Sequence, residues 1–212
     1  MPLDLILEQP ALGLAWVVAI LLALSLHEFA HAAMATALGD GTARDAGRLT
    51  VNPLAHIDPL GFFALLLIGF GWGRPVPFDP SQLRNRRWGP VAVALAGPAT
   101  NLILMAVAGV LLGVLNRSLA LPPNNLLVLT LAFLFQINLV LFLFNLIPIP
   151  PLDGSKLLLS VLDHPRYAQA RLFLETRGPL LLLILVIADG MLGGAILGRV
   201  FHAALRWAAG LF

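Results

Sequence analysis

The chain has 212 residues, of which 59% are hydrophobic and only 11% charged, where an ordinary soluble domain carries about a quarter charged. With its apolar residues gathered into runs of membrane-spanning length, this composition excludes a water-soluble fold and predicts an all-α polytopic membrane protein. Thirteen basic against eleven acidic residues, a net charge of +2, are too balanced and scattered for a nucleic-acid partner, and the absence of cysteine excludes disulfides, thiolate metal sites and a cysteine nucleophile.

The first ten residues hold no Lys or Arg and the apolar run after them is too long for a signal peptide, so that run is expected to stay in the mature protein. Five apolar blocks follow in order. The first, from about Ala11 to Leu38, is about 42 Å long as a helix, enough to cross a bilayer, and Gly39-Asp40 end it. The second, Leu60 to Trp72, is about 20 Å long, short of the ~30 Å hydrocarbon core, and reads as a re-entrant or interfacial hairpin. The third, Gly89 to Leu115, and the fourth, Leu126 to Ile147, both have spanning length and are joined by a short Pro-Pro-Asn-Asn turn, so they should pack as an antiparallel pair. The fifth, from about Pro179 to Leu197, is interrupted by Asp189-Gly190 and Gly193-Gly194 and leads into an amphipathic stretch with Arg199, His202, Arg206 and Trp207. The fold expected is therefore about four to six transmembrane helices with a short hairpin and a small membrane-associated β element.

Cytoplasmic loops are enriched in Lys and Arg. If the second block does not cross, ten of the thirteen basic residues share one face: Arg44, Arg48, Arg74, Arg84, Arg86, Arg87, Lys156, Arg166, Arg171 and Arg177, against Arg117, Arg199 and Arg206 opposite. This predicts four full crossings, an outside N-terminus and a cytoplasmic ten-charge face. A crossing by the second block would split the clusters and weaken the asymmetry. Arg84, Arg86, Arg87 and Trp88 read as an interfacial anchor facing anionic lipid.

The chemistry begins at His27-Glu28-Phe29-Ala30-His31. Residues four apart share a helix face, so two imidazoles can reach one metal at ~2.0–2.1 Å while the Glu stands beside the open position. There the Glu can take a proton from a water whose pKa Zn²⁺ has lowered to about 7. Three ionisable groups within five residues of a membrane helix each cost at least ~2.5–3.5 kcal/mol on insertion scales, which argues for function. A catalytic zinc takes three protein ligands, and the third must come from His56, His164, His202, Asp58, Asp153, Asp163 or Asp189. The fourth block ends in Asn145-Leu146-Ile147-Pro148-Ile149-Pro150-Pro151-Leu152-Asp153-Gly154, where prolines break the helix and Gly154 permits a sharp turn. That turn would aim Asp153 back into the protein, on the side where His27 and His31 lie; the competing reading is a turn-capping Asp.

These motifs, with Gly97-Pro98-Ala99-Thr100-Asn101, Arg48 to Gly61 and Gly73 to Phe78, resemble the site-2 protease family of intramembrane zinc metalloproteases, in its small prokaryotic branch without a PDZ domain. The resemblance spans roughly Leu26 to Lys156. It implies one Zn²⁺ per chain held by His27, His31 and Asp153, with Glu28 as the general base. It also implies Asn101 facing the site, where the amide could bind the substrate backbone or a developing oxyanion, or else make an interhelical hydrogen bond. Asn145 is read either as a substrate-binding residue or as a cap for the broken helix. His56 and Asp58 are either neighbours of the site or loop hydrogen-bonding groups. Asp189 is either functional or a helix break, and Gln136 and Asn138 are interhelical glue.

The expected function is hydrolysis of peptide bonds within or near transmembrane segments of membrane-protein substrates, from an integral position in a prokaryotic cell membrane with the site toward the cytoplasm. The domain expected is a single unit, residues 1–212, with a catalytic core of about 11–160 and C-terminal helices of about 161–212. Arg48 to Val51 and Arg74 to Phe78 are expected to form an extended element whose edge, kept unpaired by Pro75 and Pro77, takes a substrate strand. A zinc or proton transporter would need ionisable groups along a path through the membrane, or paired repeats, and the motifs gather near one face. A catalytically inactive relative is the other alternative, disfavoured because Glu28 and all three ligand candidates are present.

Overall fold

The structure is a computed structural model that describes residues 2–119, 121–122 and 124–211. Its helices run in the order α1 (Pro2–Glu8), α2 (Pro10–Ala37), α3 (Thr42–Asp45), α4 (Pro59–Ile68), α5 (Gly89–Ser118), α6 (Leu126–Asn145), α7 (Gly154–Val161), α8 (Ala168–Met191) and α9 (Leu197–Ala209). Among the described residues the helices long and apolar enough to cross a membrane are α2, α5 and α6, three where four full crossings are expected from the sequence. At 28, 30 and 20 residues they measure about 42, 45 and 30 Å. Each begins where a sequence signal starts it: Pro10 opens α2, Gly89-Pro90 opens α5, and Asn125 caps α6 by accepting from the Leu127 N–H.

These three helices pack mutually, and small residues let them do so. On α2 the buried positions Ala15, Ala19, Ala23, His27, His31 and Ala35 recur every fourth residue. The alanines are wholly buried, and a stripe without bulk brings neighbouring backbones close, as lipid-embedded helices require. The two histidines continue that stripe. On α5 the matching face is Ala94, Gly97, Pro98, Asn101, Met105 and Ala108. Away from the polar level, Met105 and Ala108 pack with Leu131, Phe135 and Leu139 of α6 and Ala208 of α9.

The second apolar block enters and leaves on one side. Its helix α4 has ten residues, about 15 Å, and the chain returns to its starting point, where Ile57 and Gly73 form an antiparallel bridge and the Arg74 N–H donates to His56 O at 2.7 Å. Asp58 caps α4 by accepting from the Gly61 N–H at 2.8 Å. The hairpin presents Leu60, Phe63, Leu67, Ile68 and Trp72 outward, all more than half exposed, as a lipid-facing element must.

Three expectations are corrected. The paired element of residues 48–51 with 74–78 is absent: among the described residues only the single bridge at Ile57 and Gly73 forms. Pro75 and Pro77 carry no N–H for a ladder, and it is the Arg48 side chain, through Nη2, that reaches Arg74 O. The fifth block starts as a helix at Ala168, with Pro179 inside it, because an Arg171–Glu175 ion pair at i, i+4 supports its polar first half. Gln136 is exposed, so only Asn138 of that pair links helices. Asp189 takes the helix-break role: its Oδ1 accepts the N–H groups of Ile196 and Leu197, closing the turn at Gly193-Gly194 into α9.

The loop after α2 is anchored by Asp40, which is wholly buried and accepts from the Thr42 N–H and hydroxyl and from the Asp79 N–H. Burial opposes its charge, but the hydrogen bonds from Thr42 and Asp79 outweigh it and hold the carboxyl below the usual carboxylate range. The Arg84 N–H donates to Leu38 O at 2.9 Å. Together these bonds lay the segment before α5 across the end of α2 and set where α5 begins.

Candidate metal centre

Three elements deliver the site. The last third of α2 carries His27 and His31 one turn apart. Beyond α6, the proline-rich stretch 148–151 stops the helix, and the chain turns sharply enough that a Cβ on Gly154 would lie 2.3 Å from Leu146 O. Only a glycine allows that approach, and the turn brings Asp153 back to α2. Its Oδ2 lies 3.3 Å from His27 Nε2 and 3.5 Å from His31 Nε2, and the two Nε2 atoms are 3.0 Å apart. Among the described residues these three form the one group of His and acidic side chains whose ligand atoms all lie within 4.8 Å of one another.

The outer nitrogens of both rings are already used. His27 Nδ1 lies 2.6 Å from Asn101 Oδ1 and His31 Nδ1 lies 2.8 Å from Val93 O. A carbonyl oxygen only accepts, so each ring facing one donates from Nδ1 and turns a bare lone pair on Nε2 toward the other. Asp153 Oδ2 is buried with no hydrogen-bond donor. Two imidazole lone pairs and a carboxylate oxygen converging in a buried place repel one another unless a cation sits among them, and two histidines with one carboxylate are a zinc donor set. The residues therefore fit the metal that their pattern implies.

Gly97 of α5 makes room for this arrangement. A Cβ there would stand 2.5 Å from His31 Nε2 and 2.6 Å from His27 Cε1. The Gly97-Pro98 pair thus has a packing reason that the bare motif does not disclose. Glu28, partly buried, lies beside the cluster within electrostatic reach of His31 and of Arg48. Arg48 is only 5% exposed and its Nε has no partner; burial pulls the guanidinium below its usual value while the negative Glu28 opposes that. Its proximity to Glu28 left no mark in the sequence, where it counted only as a loop charge.

The other candidates lie elsewhere. His56 is wholly buried and donates from Nε2 to Thr50 O at 2.8 Å, so it holds its own loop together. Asp58 caps α4, His164 caps a short turn by accepting from the Arg166 N–H, and Asp163 pairs with Arg171 at 2.6 Å. His202 is exposed on α9. Asn145 donates from Nδ2 to Leu141 O within its own helix, and Asn101 is wholly buried with both ends of its amide engaged.

An all-helical chain with long apolar helices and a buried His-His-Asp cluster defines a membrane-embedded metalloprotein. Residues 120–185, which include Asp153, match the profile of peptidase family M50. Relatives that carry the name "Putative zinc metalloprotease" include YwhC of Bacillus subtilis, 38% identical over 194 residues, covering 88% of this chain and 85% of that protein, and Rip2 of Mycolicibacterium smegmatis, 34% identical over 192 residues, covering 88% and 70%. MJ0611 of Methanocaldococcus jannaschii, of the same designation, is 46% identical over 66 residues, 31% of each chain. No solved structure matches. The chain belongs to peptidase family M50, the site-2 protease family.

Proposed function

We propose that this chain is a single integral membrane metalloprotease domain, residues 1–212, with its catalytic core at about 11–160. It cleaves peptide bonds within or near transmembrane segments of other membrane proteins, with His27, His31 and Asp153 as zinc ligands and Glu28 as the general base. The observation that carries this reading is the convergence of two Nε2 lone pairs and Asp153 Oδ2 beside Glu28, inside helices of membrane-spanning length. The N-terminus lies outside and the site faces the cytoplasm of a prokaryotic cell, because the basic residues cluster at the end of the bundle where the site is.

Bound zinc supplies Lewis-acid chemistry, polarising the scissile carbonyl and making water acidic enough to lose a proton near neutral pH. The Glu28 carboxylate accepts that proton and returns it to the leaving amine nitrogen. Helical peptide bonds are shielded by their own hydrogen bonds, so a substrate must unwind before it is cut.

The reading is tested with purified protein in liposomes and a panel of single-pass membrane substrates, measuring cleavage and bound zinc together. Glu28→Gln is expected to keep its zinc and lose cleavage by about 10²–10⁴-fold, the contribution of a positioned acid–base group. Cleavage that survives the substitution overturns the role of Glu28.

A further inference from the structure

Behind His27 a chain of hydrogen bonds crosses all three spanning helices. Asn138 on α6 donates from Nδ2 to Leu134 O at 2.7 Å, and its Oδ1 accepts from Asn101 Nδ2 on α5 at 2.8 Å. Asn101 Oδ1 then faces His27 Nδ1 on α2 at 2.6 Å. Both asparagines are wholly buried, so water cannot substitute for any of these partners.

The order of donors along this chain is forced. Leu134 O is a carbonyl and can only accept, so Asn138 must turn its NH₂ toward it and its Oδ1 toward Asn101. Asn101 must then present its NH₂ to Asn138 and its Oδ1 to His27. The proton of a neutral His27 ring has to sit on Nδ1, which leaves Nε2 bare and aimed at the cluster. Were the Asn101 amide reversed, its NH₂ would meet Nδ1, the ring would carry its proton on Nε2, and that proton would point where the ligand lone pair is required. His31 reaches the same tautomer by one bond to the α5 backbone at Val93 O.

Resting on the zinc-site reading above, we propose that Asn138 and Asn101 are positioning residues for the metal centre: a backbone carbonyl of α6, transmitted through two amides, sets the tautomer and aim of His27. Partners of this kind behind a ligating histidine typically contribute 10–100-fold in metal affinity. The hydrogen bonds of Asn138 go to Asn101 and Leu134 O and to no metal ligand, so an effect of its substitution on zinc is a signature of the relay.

The test is the zinc dissociation constant of the full-length protein in detergent, measured by chelator competition. Asn101→Leu is expected to weaken zinc about 100-fold and Asn138→Leu about 10-fold. Asn138→Asp should restore it to within a few-fold of the wild type: a carboxyl buried among apolar helices stays protonated, and its O–H and C=O reproduce both bonds of the amide. A Leu variant with wild-type affinity overturns the relay, and so does Asn138→Asp binding as weakly as Asn138→Leu, because packing would then account for the loss. If the Leu variants do not fold, ¹⁵N NMR of histidine-labelled, metal-free wild type decides instead. His27 protonated at Nδ1 supports the relay, and protonation at Nε2 overturns it. His31→Ala and Asp153→Ala separate the two levels. If both retain zinc as the wild type does, the metal-site reading falls and the relay with it; if both lose zinc while Asn101→Leu and Asn138→Leu bind normally, the relay alone falls.

Discussion

Asp153→Ala should release zinc and abolish cleavage, with zinc affinity falling by more than the ~10–100-fold that loss of a partner behind a ligand costs. The substitution removes the only carboxylate of the cluster and leaves His27 Nε2 and His31 Nε2 facing each other 3.0 Å apart. Two imidazoles alone bind a divalent cation weakly, because neither neutralises its charge in a buried setting. The fold should tolerate the change: Asp153 makes no side-chain capping bond to α7, and the turn at Gly154 depends on the close approach to Leu146 O rather than on the carboxylate. Zinc content per folded protein and cleavage are read together, with His56→Ala as the comparison. His56 lies outside the cluster and bonds Thr50 O, so its variant should keep zinc even if its loop loosens. Retained zinc in Asp153→Ala with loss in His56→Ala would move the third ligand to His56.

How much of this was legible depends on what each residue had to reveal. The apolar runs of α2, α5 and α6 are bounded by proline, glycine and asparagine, so their limits fall within a few residues of the sequence expectation. A run of membrane-spanning length leaves few alternatives. The first half of α8 is polar and held by side-chain pairs, and Pro179 stood where a helix start was expected, so the helix from Ala168 was hidden. The β element failed because a side chain, Arg48, occupies a carbonyl that strand pairing would have used. At the site, spacing alone put His27 and His31 on one face, and the proline-glycine ending suggested how Asp153 returns. It could not say which atom of which helix each polar group meets. The motif leaves Asn101 either facing substrate or making an interhelical bond, and only the packing of α2, α5 and α6 places its oxygen on His27 and its nitrogen on Asn138.

The same limit hid the role of Gly97, and Gly97→Ala tests it with an effect as large as removing a ligand. The added methyl would stand 2.5 Å from His31 Nε2 and 2.6 Å from both His27 Cε1 and His31 Cε1, distances that side-chain carbons do not adopt. The rings cannot yield without cost, since His27 is tied to Asn101 and His31 to Val93 through their opposite edges. The ligating edge is therefore the part displaced, and zinc affinity should fall by more than 100-fold, taking cleavage with it. The helix itself argues the other way. Alanine is favoured over glycine inside a helix by about 1 kcal/mol, which offsets much of the ~1–3 kcal/mol expected for overpacking, so helical content and the thermal midpoint of the metal-free protein should change little. Circular dichroism of Gly97→Ala beside zinc analysis makes the distinction: a folded protein without zinc is the expected outcome, and a folded protein with wild-type zinc would mean that the rings have room the structure denies them.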